Sequence, residues 1–304
     1  MVYDMEKTTE IKSKAAINCV KISKYYYNVL GYKSIFASSN NNICILDFEH
    51  KSLRKRLEGH RKRVYCINFS QFDGGQYLCS ASEDCTVRLW DIEKVRILHV
   101  FEGHGHSVMC VDISPLQSHK AKDGINNNIG GSGYSICSGS LDGTIRIWDI
   151  EKTKESTVFK EHESGVLSIQ YGSNELGDIG CANTILSGST DKTIRLWDIR
   201  EKKEINRFDG HTNRVLCVQY SPFVSANSNV ICSGSSDGTV RFWDIRSRKQ
   251  LNLFQRNDHA AVDVTSLKFM SLQTQINNKQ MSDGDSSIHL CYGSSEGKIY
   301  IRGY

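Results

Sequence analysis

SGSLDGTIRIWD, from Ser138 to Asp149, decides how this chain folds, because the same phrase returns three more times with little variation. It reads SASEDCTVRLWD at Ser80–Asp91, SGSTDKTIRLWD at Ser187–Asp198 and SGSSDGTVRFWD at Ser233–Asp244. Self-similarity at a period of tens of residues marks a repeat architecture, in which each copy is one supersecondary unit. Two weaker copies flank the four: ASSNNNICILD ends at Asp47, and YGSSEGKIYIRGY ends at Tyr304. Aligned without gaps they make six units, with Leu46, Trp90, Trp148, Trp197, Trp243 and Arg302 at the Trp position, 44 to 59 residues apart.

Each unit reads as short strands. Apolar or β-branched residues alternate with polar ones, and Asp-Gly or Asn-rich steps interrupt them. Asp142-Gly143 and Asp237-Gly238 mark a tight turn between two strands, and the TIRIWD segment after it alternates across the two faces of the second. A further strand lies upstream in RVYCINFS, SVMCVDIS, GVLSIQY and RVLCVQYS. A fourth follows each Trp-Asp pair and holds Phe101, Phe159 or Phe208. That makes four strands per unit, with little room for helix.

A Gly-His or Glu-His pair ends the fourth strand: Gly59-His60, Gly103-His104, Glu161-His162 and Gly210-His211. Together with Trp90-Asp91, Trp148-Asp149, Trp197-Asp198 and Trp243-Asp244, these residues resemble the WD40 repeat family over nearly the whole chain. The resemblance implies an all-β fold, a closed β-propeller of four-stranded antiparallel blades forming one domain over residues 1–304. Six blades are expected. Seven is the alternative, because the family commonly closes with seven, but it would need a blade with no recognisable motif. The last unit stops after its third strand, so a strand at about residues 7–14 is expected to pair with it. That pairing closes the ring and removes two open sheet edges.

The resemblance also implies a hydrogen-bonded set of His, Ser, Asp and Trp in each complete unit. The sets are His60, Ser80, Asp84 and Trp90; His104, Ser138, Asp142 and Trp148; His162, Ser187, Asp191 and Trp197; and His211, Ser233, Asp237 and Trp243. A buried indole N–H needs an acceptor and a buried carboxylate needs donors, so such a chain offsets the desolvation of both. Its expected role is to pin loops to strands. A His–Ser–Asp trio also invites reading as a catalytic triad. Four identical trios argue for four fixed blades instead, since an enzyme needs one site. The sialidase-type turn is absent as well: Asp142 stands six residues before Trp148 with Gly143 directly after it, the wrong spacing for that motif.

The end units lack the set. Phe36, Asn40 and Leu46 stand where Ser, Asp and Trp are expected in the first, with Ser13 at the His position. Tyr292, Glu296 and Arg302 replace them in the last, where His259 is out of register. These blades are expected to be the softest. The polar stretches 116–134 and 271–287, rich in Asn, Gly and Ser, read as surface loops.

Composition narrows the class further. No apolar run approaches the roughly 18 residues needed to cross a bilayer. Charges within Met1–Glu10 leave no signal-peptide core, so the mature protein is expected to begin at Met1 and to stay inside the cell, in cytoplasm or nucleus. The eleven cysteines include no C-x-x-C pair and recur at matching points of the repeats, as Cys66, Cys110 and Cys217 and as Cys79, Cys137 and Cys232. They read as small buried hydrophobes in a reducing compartment rather than metal ligands. A net charge of +4 does not imply nucleic acid, and the clusters Lys51–Arg56 and Arg61–Arg63 read as a solvated edge strand and a loop.

No phosphate-cradling loop, zinc spacing or nucleophile elbow appears, so no catalysis, cofactor, metal or small-molecule substrate is expected. The resemblance implies a scaffold or adaptor for protein or peptide partners. In such repeats partners meet the residues three and five after the His, and the one before the turn Asp. Carried over, the contact residues are Arg63, Tyr65 and Glu83; Met109 and Leu141, with Ser107; Leu167 and Thr190, with Gly165; and Arg214, Leu216 and Ser236. The alternative for Met109, Leu167 and Leu216 is strand packing. A second reading is a substrate receptor of a cullin-RING ubiquitin ligase, because Asp198 with Arg200 and Asp244 with Arg246 resemble the W-D-x-R box of such receptors. A propeller enzyme or nucleic-acid binder is the remaining alternative.

Overall fold

The computed structural model describes residues 17–23, 34–47, 50, 52–70, 75–114, 134–172, 183–225, 228–255, 262–272 and 287–303. Every regular element among them is a β-strand, and the strands form six successive antiparallel sheets, or blades. In the second blade the order along the sheet is the order along the chain: Val64–Phe69, Tyr77–Ser82, Thr86–Asp91 and Arg96–Glu102. The first, third, fourth and fifth blades repeat this four-stranded meander, and the sixth shows three strands, Val264–Leu272, Ser287–Ser294 and Ile299–Gly303. The strand expected at residues 7–14 and most of the two expected loops lie outside the described residues.

The chain divides into two compact units, Met1–Asp142 with Arg146–Ser156, and Gly143–Ile145 with Thr157–Tyr304. Within the first, Phe36, Ile43, Ile45 and Leu57 of the first blade pack on Leu78, Trp90 and Ile92 of the second. The other face of the second blade packs through Val87, Leu89 and Phe101 on Val111, Ile113 and Trp148 of the third. In the second unit, Leu196 and Phe208 of the fourth blade meet Tyr220 and Trp243 of the fifth in the same way. Strands buried on both faces explain why these segments are so rich in Ile, Val and Leu. They also explain the recurrent cysteines: Cys79, Cys137 and Cys232 are fully buried, each filling a small apolar site.

The turn between second and third strands needs a left-handed residue in every complete copy. Gly143 (φ 80°) and Gly238 (φ 77°) supply it at no steric cost, whereas Cys85 (φ 66°) and Lys192 (φ 71°) adopt it against their Cβ.

A second backbone feature recurs in all six blades. The first strand carries a β-bulge, with the register slipping between Ile17 and Cys19, Val64 and Cys66, Val108 and Cys110, Val166 and Ser168, Val215 and Cys217, and Val264 and Ser266. The extra residues are Asn18, Tyr65, Met109, Leu167, Leu216 and Thr265. A bulge leaves one residue out of the ladder and re-aims its side chain.

The gap-free alignment of the first unit needs correction. Leu46 pairs with Ile35 as Trp197 pairs with Ile185, and Cys44 pairs with Ala37 as Arg195 pairs with Ser187. Ala37, not Phe36, therefore stands at the Ser position, because the turn at Asn40-Asn41 is one residue shorter than in the other copies. A one-residue shift moves a side chain to the opposite face of a strand. Phe36 accordingly lies in the apolar cluster with Ile43 and Ile45.

Candidate functional site: the buried polar chains and the bulge face

Four polar chains are assembled with nearly the same dimensions. Nδ1 of His60, His104, His162 and His211 lies 2.8, 3.0, 2.6 and 2.8 Å from Asp84, Asp142, Asp191 and Asp237. Nε2 lies 2.7, 2.8, 2.8 and 2.8 Å from the Oγ of Ser80, Ser138, Ser187 and Ser233. The indole N–H of Trp90, Trp148, Trp197 and Trp243 donates to the same hydroxyl at 2.8, 2.8, 2.8 and 2.9 Å. Each Ser is 0% exposed.

Protonation follows from the partners. Burial by itself would raise the carboxyls of Asp84, Asp191 and Asp237. The His ring, then a Thr hydroxyl and a backbone N–H, outweigh it and hold all three well below the usual carboxylate range. An ionised carboxylate only accepts, so His Nδ1–H donates to it, Nε2 accepts the Ser hydroxyl, and the Ser oxygen accepts the indole. For His60, burial lowers the pKa more than Asp84 raises it, which favours the neutral ring. Asp84, Asp142, Asp191 and Asp237 also accept the amide that follows the His, from Arg61, Gly105, Glu163 and Thr212. The carboxylate thus ties the turn to the end of the preceding fourth strand.

The Asp of each Trp-Asp pair has a separate, local job. Asp91 accepts the amides of Glu93 and Lys94, Asp198 those of Arg200 and Glu201, and Asp244 those of Arg246 and Ser247. These Asx turns recur whether or not Arg follows two residues later. Arg200 and Arg246 are exposed. In the W-D-x-R boxes, then, the carboxylates are occupied by the turn and the guanidinium groups face outward.

The expected contact residues fall on two linked features of each blade. Tyr65, Met109, Leu167 and Leu216 are the bulge residues themselves, all partly exposed. Beside them, the amides of Glu83, Leu141, Thr190 and Ser236 donate to the carbonyls of Arg63, Ser107, Gly165 and Arg214 at 2.8, 3.0, 2.8 and 2.9 Å. Arg63 and Arg214 are exposed, Leu141 is 37% exposed, and Glu83 and Thr190 are partly exposed. Ser236 departs from the expectation: it is 4% exposed and presents no contact surface, and Ser107 and Gly165 are buried as well. Sequence reasoning missed Asn18 and Thr265, which hold the bulge position in the end blades and are exposed. Without a His to count from, only the strand register reveals them.

Six blades of this topology, four of them closed by a His–Ser–Asp–Trp chain, define a class of β-propeller repeat domain. The WD domain, G-beta repeat family matches residues 51–91, 95–149, 153–198 and 202–244, and the chain belongs to it. Among curated relatives, WD repeat-containing protein pop2 of Schizosaccharomyces pombe is 32% identical over 38% of this chain and 15% of its own length. Autophagy-related protein 16 of Arabidopsis thaliana is 28% identical over 46% and 24%. Nuclear distribution protein PAC1 of Fusarium vanettenii is 31% identical over 45% and 28%. The matched part thus spans under a third of each of these relatives.

Proposed function

We propose that this chain is a non-enzymatic scaffold that holds protein or peptide partners in a multiprotein complex. The observation that carries this reading is the bulge in the first strand of every blade. It takes Tyr65, Met109, Leu167 and Leu216 out of the ladder beside residues such as Arg63, Glu83, Leu141 and Arg214. Aromatic, Met and Arg side chains released from sheet pairing are the kind that anchor interfaces. The His–Ser–Asp trios offer no nucleophile, because every Ser is buried and already holds an indole N–H. The relatives carry names from different cellular processes, which suits a module defined by what it binds. Thiols kept as small buried core residues, as at Cys79 and Cys232, suit the cytoplasm or nucleus.

The test is the double substitution Tyr65→Ala with Arg214→Ala. Partners captured by the wild-type chain are identified by mass spectrometry and their affinities measured against both proteins. Truncating true anchors weakens binding at least roughly tenfold without changing the melting temperature. Equal affinity for every partner would place the site elsewhere.

A further inference from the structure

The arginine two residues before each Trp shows an asymmetry between blades. In the fourth blade Arg195 donates from Nε to Thr193 at 3.3 Å and from Nη1 to Glu204 at 2.6 Å. In the fifth, Arg241 donates to Thr239 at 3.2 Å and to Gln250 at 2.8 Å. In the third, Arg146 reaches Glu155. The acceptor always lies nine residues on, in the fourth strand. In the second blade that position is Ile97.

Arg88 is therefore left without its acceptor. It is 8% exposed; among the described residues its Nε, like that of Arg146, has no hydrogen-bond partner, and its one ion pair, to Asp84, spans 3.8 Å. Asp84 is already engaged by His60, Thr86 and the Arg61 amide. Arg88 lines a cavity of about 400 Å³ together with Arg61, Asp84, Thr86, Glu102 and His104. That volume is within the range of ligand sites. Burial lowers the pKa of Arg88, Asp84 and Glu102 oppose this, and the like charge of Arg61 adds to it. An arginine that lines a cavity and lacks a close acceptor can pair with an oxyanion that enters it.

We propose that this cavity binds an isolated acidic side chain of a protein or peptide partner, its oxyanion seated on Arg88 with Arg61 at the rim. Asp84 and the exposed Glu102 also stand on the wall, so the site accepts one acidic group at the arginines and repels a second. The proposal is independent of the bulge face and concerns different residues.

The test uses the full chain and fluorescence anisotropy with a labelled peptide of sequence Ala-Ala-Glu-Ala-Lys-Ala, its Gln counterpart, and a version with phosphoserine in place of Glu. The Glu or phosphoserine peptide is expected to bind at least about tenfold tighter than the Gln peptide, and the ratio of the two tells a carboxylate site from a phosphoryl site. Ile97→Glu supplies the acceptor that the third and fourth blades already tolerate, so it should fold normally and abolish the preference. Arg88→Gln should abolish it too, whereas Arg241→Gln should leave it intact. No preference in the wild type, or one that survives in a folded Ile97→Glu protein, overturns the proposal.

Discussion

Ser187 Oγ accepts the indole N–H of Trp197 at 2.8 Å, and both residues are wholly shielded from solvent. The same hydroxyl stands 2.8 Å from His162 Nε2. Ser187→Ala would strand two buried polar groups at once, an expected loss of about 2–4 kcal/mol on the scale of unmade buried hydrogen bonds. Trp148→Ala removes more, since the ring packs 5.5 Å from Phe101 and fills the seam between two blades. About 3–5 kcal/mol is expected there. Urea titrations of both variants measure these losses, and a wild-type midpoint for Ser187→Ala would show that the chain is not load-carrying.

Acid should unfold the protein in two stages. The folded pKa of His60 is depressed below its ordinary value of 6.5, so below that pH the unfolded chain takes up a proton that the folded chain refuses. Stability falls accordingly. The second stage begins near the ordinary carboxyl value of 3.8, where unfolded Asp84, Asp191 and Asp237 protonate while their folded counterparts stay ionised. Denaturation free energies measured from pH 8 to pH 3 should decline below about pH 6.5 and steepen below about pH 4. A flat profile would contradict the ionised, neutral-His arrangement.

Gly143→Ala should destabilise. The residue sits at φ 80°, and a Cβ there would lie 3.2 Å from the His162 carbonyl oxygen. The left-handed conformation alone costs an L-residue about 1–2 kcal/mol. Gly238, at φ 77°, should be destabilised by the same left-handed strain, which thermal melting of the two single variants would check.

Arg200→Ala with Arg246→Ala should leave stability within about 0.5 kcal/mol per site, since both side chains are exposed and the turns are held by Asp198 and Asp244. The same double variant should keep the wild-type partners. Loss of a shared partner, with the bulge face intact, would move an interface to these turns and support the ligase-receptor reading.

The fold was legible where spacing is rigid. Ten residues separate Ser80 from Trp90 and Ser233 from Trp243 because one turn and one strand pairing must bring hydroxyl to indole. Phe36 was misplaced because a one-residue shortening of a turn leaves no trace in an alternating apolar run. The buried Ser236 was misjudged because its place before the turn Asp is occupied in the second, third and fourth blades by Glu83, Leu141 and Thr190, which do reach solvent. Ile97 was invisible for another reason: an apolar residue in a strand is ordinary, and its meaning appears only when the arginine opposite has lost an acceptor.

The bulge has a consequence for how such a chain changes over generations. Substituting a residue outside the ladder leaves the pairing that holds its blade unbroken, so the surface it presents can change at little cost to stability. The six positions already hold Asn18, Tyr65, Met109, Leu167, Leu216 and Thr265, five different residue types in one backbone setting. The first and last blades lack the polar chain yet carry the bulge. The backbone setting thus persists where the chemistry that stiffens a blade is absent, so the surface shown at these positions can be re-lettered at little risk to the architecture.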